Sequence, residues 1–141
     1  MAHKHPTVPI LHPSGEYIDI DEDIAPLIKK LWELGYNTSN SCQDNYVYST
    51  IHGRLRHFVW IEFDTTGDYE DFVQEFIGDD VDRYITVSSE WETKITIINQ
   101  NFSYDRKEDM IIDNIPLDLK FATSVRFSKN QLKEVEERFG I

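Results

Sequence analysis

The spacing of apolar side chains divides the chain into short segments of two kinds. Ile24, Leu27, Ile28, Leu31 and Leu34 recur at helical intervals, with Asp21 placed to cap the segment, Pro26 in its first turn and Gly35 at its stop. Tyr69, Phe72, Val73, Phe76 and Ile77 repeat at i, i+3, i+4, i+7 and i+8 and predict a second helix, opened by Thr65–Asp68 and ended by Gly78. Ser128 with Gln131 has the spacing of a capping box, ahead of a last helix that turns Leu132, Val135 and Phe139 inward.

The strand signals lie between these helices. Tyr17–Ile20 follows a turn at Pro13–Gly15, and Tyr36–Ser41 follows Gly35. His57–Phe63 is dense in β-branched and aromatic residues. Arg83–Ser88 and Trp91–Ile98 read as two strands joined at Ser89–Glu90. Leu119, Phe121, Thr123, Val125 and Phe127 alternate with Lys120, Ala122, Ser124 and Arg126, the period of a half-buried strand. Residues 44–56 predict a loop or loose hairpin. Residues 99–118 read as an insertion or an oligomer contact, on account of the apolar run Met110–Ile112.

The expected order is β-α-β-β-α-β-β-β-α, an α+β fold. Its first six elements have the order of a ferredoxin-like βαββαβ core, to which extra antiparallel strands and a C-terminal helix are added. A chain of 141 residues suits one domain over 1–141, with residues 1–13 flexible or extended. Helices would cover one face of the sheet and leave the other to solvent, a ligand or a second subunit, so a homo-oligomer is expected.

Charge narrows the partners. Twenty-six acidic against 14 basic residues give a net charge of −12, which argues against duplex nucleic acid. No apolar run is long enough to span a bilayer and no signal peptide is read, so no membrane partner is expected and the cytoplasm is the expected compartment. One cysteine cannot form an internal disulfide. The histidines of the first 12 residues read as a frayed terminus.

Candidate chemistry is sparse. Cys42 opens a polar loop, Ser41–Asn45, but a reactive thiolate needs a helix N-terminus or a nearby cation, and a small buried residue at a strand end explains it as well. Cys42, Asp44, His52 and His57 lack the paired short spacing of zinc ligands, so no metal site is expected, nor a cofactor. No catalytic set emerges. The acidic runs read as solvated faces or caps, and there is no Gly-rich phosphate loop. The remaining candidates form a ligand-binding set: Arg126, Arg54 and Arg56 for phosphate, Trp91 for a base, Asn99 and Asn101 for a base edge, and Gln43 from the cysteine loop. Surface arginines and an unrelated core tryptophan are the competing explanation.

The pattern Ile24-x-x-Leu27-Ile28, Leu31-x-x-x-Gly35-Tyr36-x-Thr38-x-x-Ser41-Cys42 resembles a group of small phage-encoded proteins, as does Ser124–Phe127 followed by a helix. Within that group the resemblance points to the anti-Thoeris sponge type. It implies a homo-oligomer in the host cytosol that binds and sequesters a cyclic ADP-ribose type signal, or a cyclic oligonucleotide, without cleaving it. It would place Arg126, with Trp91 and Asn101, in the pocket. The Thr38-x-x-Ser41-Cys42 turn is also similar to one in the wybutosine-synthesis methyltransferases. That family continues Ser-Gly-Arg where this chain has Gln43-Asp44-Asn45, so the activity is not carried over. Two other functions fit the same residues: a small nucleotide- or tRNA-modifying enzyme built on the Cys42 loop, and an acidic phage protein that inhibits a host protein.

Overall fold

A computed structural model describes residues 5–99 and 119–141. The chain forms β1 (Thr7–Leu11), β2 (Tyr17–Asp21), α1 (Ala25–Glu33), β3 (Thr38–Ser49), β4 (Arg54–Phe63), α2 (Thr66–Ile77), α3 (Val81–Glu90), β5 (Glu92–Asn99), β6 (Leu119–Ser128), a 3-10 turn (Lys129–Gln131) and α4 (Leu132–Arg138). β1 and β2 make a two-stranded hairpin, and the other strands make a four-stranded sheet in the order β3-β4-β6-β5. Every paired neighbour is antiparallel. β4 and β5 therefore run in the same direction with β6 between them, a split β-α-β arrangement bridged by α2 and α3.

The mixed α/β class and the C-terminal helix agree with the sequence. The assignment of a ferredoxin-like core to residues 17–88 does not hold as expected. Tyr17–Asp21 pairs with Thr7–Leu11 and not with the large sheet, and Arg83–Ser88 is helical. The β-branched run in that second segment suggested a strand. Asp80 decides otherwise: its Oδ1 accepts the N–H groups of Asp82 and Arg83 and starts a helix. α3 buries none of its residues, so no apolar periodicity was there to reveal it.

Opposed residues of an antiparallel pair share a face. Val59↔Phe127, Ile61↔Val125 and Phe63↔Thr123 thus set one face of the sheet, all fully buried. Leu27, Ile28 and Leu31 of α1, Phe72 and Phe76 of α2, and Val135 and Phe139 at the end of the chain complete this core. A large apolar side chain fully buried in this way contributes about 1.5–3 kcal/mol. α1 ends in a Schellman motif: Tyr36 N–H donates to Leu31 O, Gly35 N–H donates to Trp32 O, and Gly35 takes φ 94°. The expected Asp21 cap is not made. Ile24 is the N-cap without a side-chain bond, and the Asp21 carboxylate accepts from Gln43 N instead.

Trp91 belongs to the core and not to a ligand pocket. It is only 5% exposed and stacks between Phe76, at 4.6 Å between centroids, and Phe127, at 5.0 Å. Its Nε1 donates to Gln131 Oε1, which takes Gln131 away from the expected capping box. Ser128 Oγ accepts from Asn130 N, so the last helix enters through a 3-10 turn. The expected contact at Met110–Ile112 lies outside the described residues.

Trp91→Ala should cost about 3–5 kcal/mol, the loss typical of a truncated core aromatic. Urea unfolding followed by circular dichroism measures it. A loss within about 0.5 kcal/mol, the scale of an ordinary surface change, would remove the ring from the core.

Candidate functional site

The sheet register also fixes where a cleft opens. β4 pairs with β6 only from Phe58↔Ser128 onward, so β4 runs on from Arg54 to His57 beyond its neighbour. There the chain leaves β6 through Lys129 and Asn130. The gap between the two is lined by Asp44, Arg54, Leu55, Arg56, His57, Ser128, Lys129 and Asn130; it is open to solvent and has a volume of about 470 Å³. That volume falls in the ordinary range of small-molecule pockets.

Arg54, Arg56 and Lys129 line this cleft together with one carboxylate, Asp44, and of the three cations Lys129 is the one within ion-pair distance of it. Asp44 is the organising acid. Its Oδ1 lies 2.6 Å from His57 Nδ1 and its Oδ2 accepts from Lys129 Nζ at 3.4 Å. Because a carboxylate only accepts, His57 carries its proton on Nδ1 and leaves Nε2 for another partner. Tyr46, opposite His57 in the hairpin, stacks on the imidazole at 4.3 Å and 19°. Arg56 lies over the Phe58 ring at 5.7 Å, a cation–π contact that leaves its N–H fork for an anion. Burial opposes the charge on Asp44, but the hydrogen bonds and charges of His57 and Lys129 outweigh it and hold the carboxyl below its usual range.

Arg54 and Arg56 are thus brought together. The other expected site residues are placed elsewhere. Arg126 does emerge opposite Val125 and Phe127, but on the outer face of the sheet, half-buried between its cross-strand partners Trp60 and Glu92. Gln43 is buried and structural: its Oε1 accepts from Asp23 N at 2.7 Å, tying β3 to the start of α1. Asn99 is the last residue of β5, and Asn101 lies outside the described residues. Spacing along the sequence does not group His57, Lys129 and Asp44 as one set. Lys129 is 85 residues from Asp44, so only the strand pairing reveals that they meet.

Other groups with chemical potential are accounted for locally. Ser49 Oγ lies 2.8 Å from His52 Nδ1 and donates to Glu92 Oε1 at 3.3 Å, but Ser49 is fully buried and closes the hairpin turn. Burial pushes the Cys42 thiol up; a backbone N–H from Asp44 opposes this, and the Asp21 and Asp44 charges reinforce the rise. A neutral thiol is a poor nucleophile. A hollow of about 580 Å³ beside Gly78 contains Arg83 and Arg138, both committed: Arg83 to Asp80 at 3.1 Å and Arg138 to Glu75 O at 2.9 Å.

The lowered Asp44 pKa has a pH signature. A depressed carboxyl stabilises the fold above its unfolded pKa, about 3.9, and this stabilisation is lost as pH falls through the lower folded value. Asp44→Asn should therefore be less stable than the parent at pH 6, and the gap should close below about pH 4. Urea melts across this range measure it. A gap independent of pH would mean that the charge of Asp44 contributes nothing.

No protein-family model matches the chain, and no solved structure matches it. Among the described residues no helix is long and apolar enough to cross a membrane. The chain is 32% identical to the uncharacterized protein R428 of Acanthamoeba polyphaga mimivirus over 143 aligned positions, which take in 94% of this chain and 68% of that protein. On that likeness the chain belongs to the same family as the viral protein R428.

Proposed function

We propose that the protein binds a small phosphate-bearing nucleotide in this cleft and holds it unaltered. The observation that carries the reading is the meeting of Arg54, Arg56 and Lys129 at one site of a chain with a net charge of −12. On such a body a local cationic cleft selects small anions and repels long ones, because a nucleic-acid duplex would also meet the acidic surroundings. Two arginines supply bidentate donors for phosphate oxygens. Tyr46, 55% exposed and already stacked on His57, offers a flat surface for a base.

A viral relative fits sequestration of a nucleotide immune signal in the host cytosol, by mass action and not by turnover. Assembly into a homo-oligomer belongs to the same reading. Ile95 and Ile97 are exposed on β5, the strand at one end of the sheet, and support it. The sheet itself reads as a ferredoxin-like layer with shifted chain order, in which β4, β5 and β6 supply three positions and β3 the fourth.

One observation favours the competing enzyme reading. The Asp44–His57 pair in the cleft has the form of an oriented general base. A single experiment separates the two. The protein is mixed with cyclic ADP-ribose, separated from free ligand, denatured by heat, and the supernatant analysed by mass spectrometry. Sequestration predicts intact ligand in a stoichiometric amount; linear ADP-ribose would mean catalysis. In calorimetry, Arg56→Ala and Lys129→Ala should each weaken binding at least about tenfold, since a charge-assisted hydrogen bond is worth about 1.5–3 kcal/mol. Unchanged affinity in both variants would place the ligand elsewhere.

A further inference from the structure

The N-terminal segment meets β3 at Cys42. The potential ligand atoms of His5, Asp21 and Cys42 all lie within 4.8 Å of one another, and all three residues are half-buried. They come from three separate stretches of chain: the residues before β1, the end of β2, and β3. We infer that these side chains form a binding site for a thiophilic divalent cation of the zinc type, with a fourth position open.

The donor set fits that class. A thiolate, an imidazole and a carboxylate are the ligands zinc takes, whereas calcium and magnesium take oxygen alone. Zinc holds its ligand atoms about 2.0–2.3 Å away, so the set must close by roughly an ångström around the ion. Two features hold the parts ready for that movement. Asp21 Oδ2 accepts from Gln43 N at 2.9 Å, which orients the carboxylate from the residue next to the cysteine and leaves Oδ1 for the metal. Pro6 O accepts from Glu22 N at 2.9 Å and Thr7 pairs with Asp21, two anchors immediately after His5 that keep it beside this contact. A register shift between Cys42 and Asn45 breaks the β3–β4 ladder at the ligand, as bulges do where a strand re-aims a side chain.

The three ligands are not among the residues that line the nucleotide cleft, so either proposal can fail without the other.

Cobalt(II) titration of the full chain tests it. Binding through Cys42 predicts one equivalent of cobalt with a sulfur-to-cobalt charge-transfer band in the near ultraviolet, displaced by zinc, with release of protons at neutral pH. Cys42→Ser should abolish the band. His5→Gln should weaken cobalt binding by more than the roughly 10–100-fold typical of losing an outer-shell partner. Asp21→Asn, which keeps an oxygen to accept from Gln43 N, guards against a folding defect and should also weaken it. Circular dichroism of each variant checks the fold. Cobalt binding without a thiolate band, or binding lost on His3→Gln but not on Asp21→Asn, would mean that only the N-terminal histidines hold the ion and would overturn the site.

Discussion

The pairing of β4 with β6, in register from Phe58↔Ser128 to Phe63↔Thr123, is the constraint on which the other features rest. A slip of one residue would turn Val59, Ile61 and Phe63 out of the core and Trp60 and Glu62 into it. The same register sets the end of β6 at Ser128. There the chain turns into Lys129 and Asn130 while β4 extends past it, and the cationic cleft is the space that results. Core and site are therefore two consequences of one strand pairing.

That dependence explains the roles of two tryptophans. Trp91 precedes β5 and fills the gap between Phe76 and Phe127, so helix α2 and strand β6 are held against one another through its ring. Trp60 lies on the opposite face, half-buried and paired with Arg126 and Cys42 across the strands. The sequence marks both only as large and aromatic. Which face each occupies follows from register, a non-local property.

Local patterns were legible where one residue type dictates one conformation. The apolar stripes of α1 and α2, the alternation of β6 and the stop at Gly35 agree between sequence and structure, because each rests on periodicity or on a positive φ. α3 is not legible because the cap at Asp80 outweighs a β-branched run of which only Val87 packs, partly buried, against the core. The candidate site was half legible. Arg54 and Arg56 stood out as cations in a polar hairpin, but Asp44, His57 and Lys129 join them only through tertiary pairing. Gln43 and Trp91 drew attention as polar-loop and aromatic residues; burial shows them to be structural. The His5, Asp21 and Cys42 cluster has no short-spacing signature at all, since each ligand comes from a different segment.

Under the proposed function the cleft, and not the outer face of the sheet, receives an anionic ligand. Amide hydrogen exchange with and without saturating cyclic ADP-ribose tests it most directly. The cleft predicts slowed exchange at residues 54–57 and 129–130, where β4 has no β6 neighbour. Slowed exchange confined to Trp60, Glu92 and Arg126, with residues 54–57 unchanged, would contradict it and move the site to the outer face.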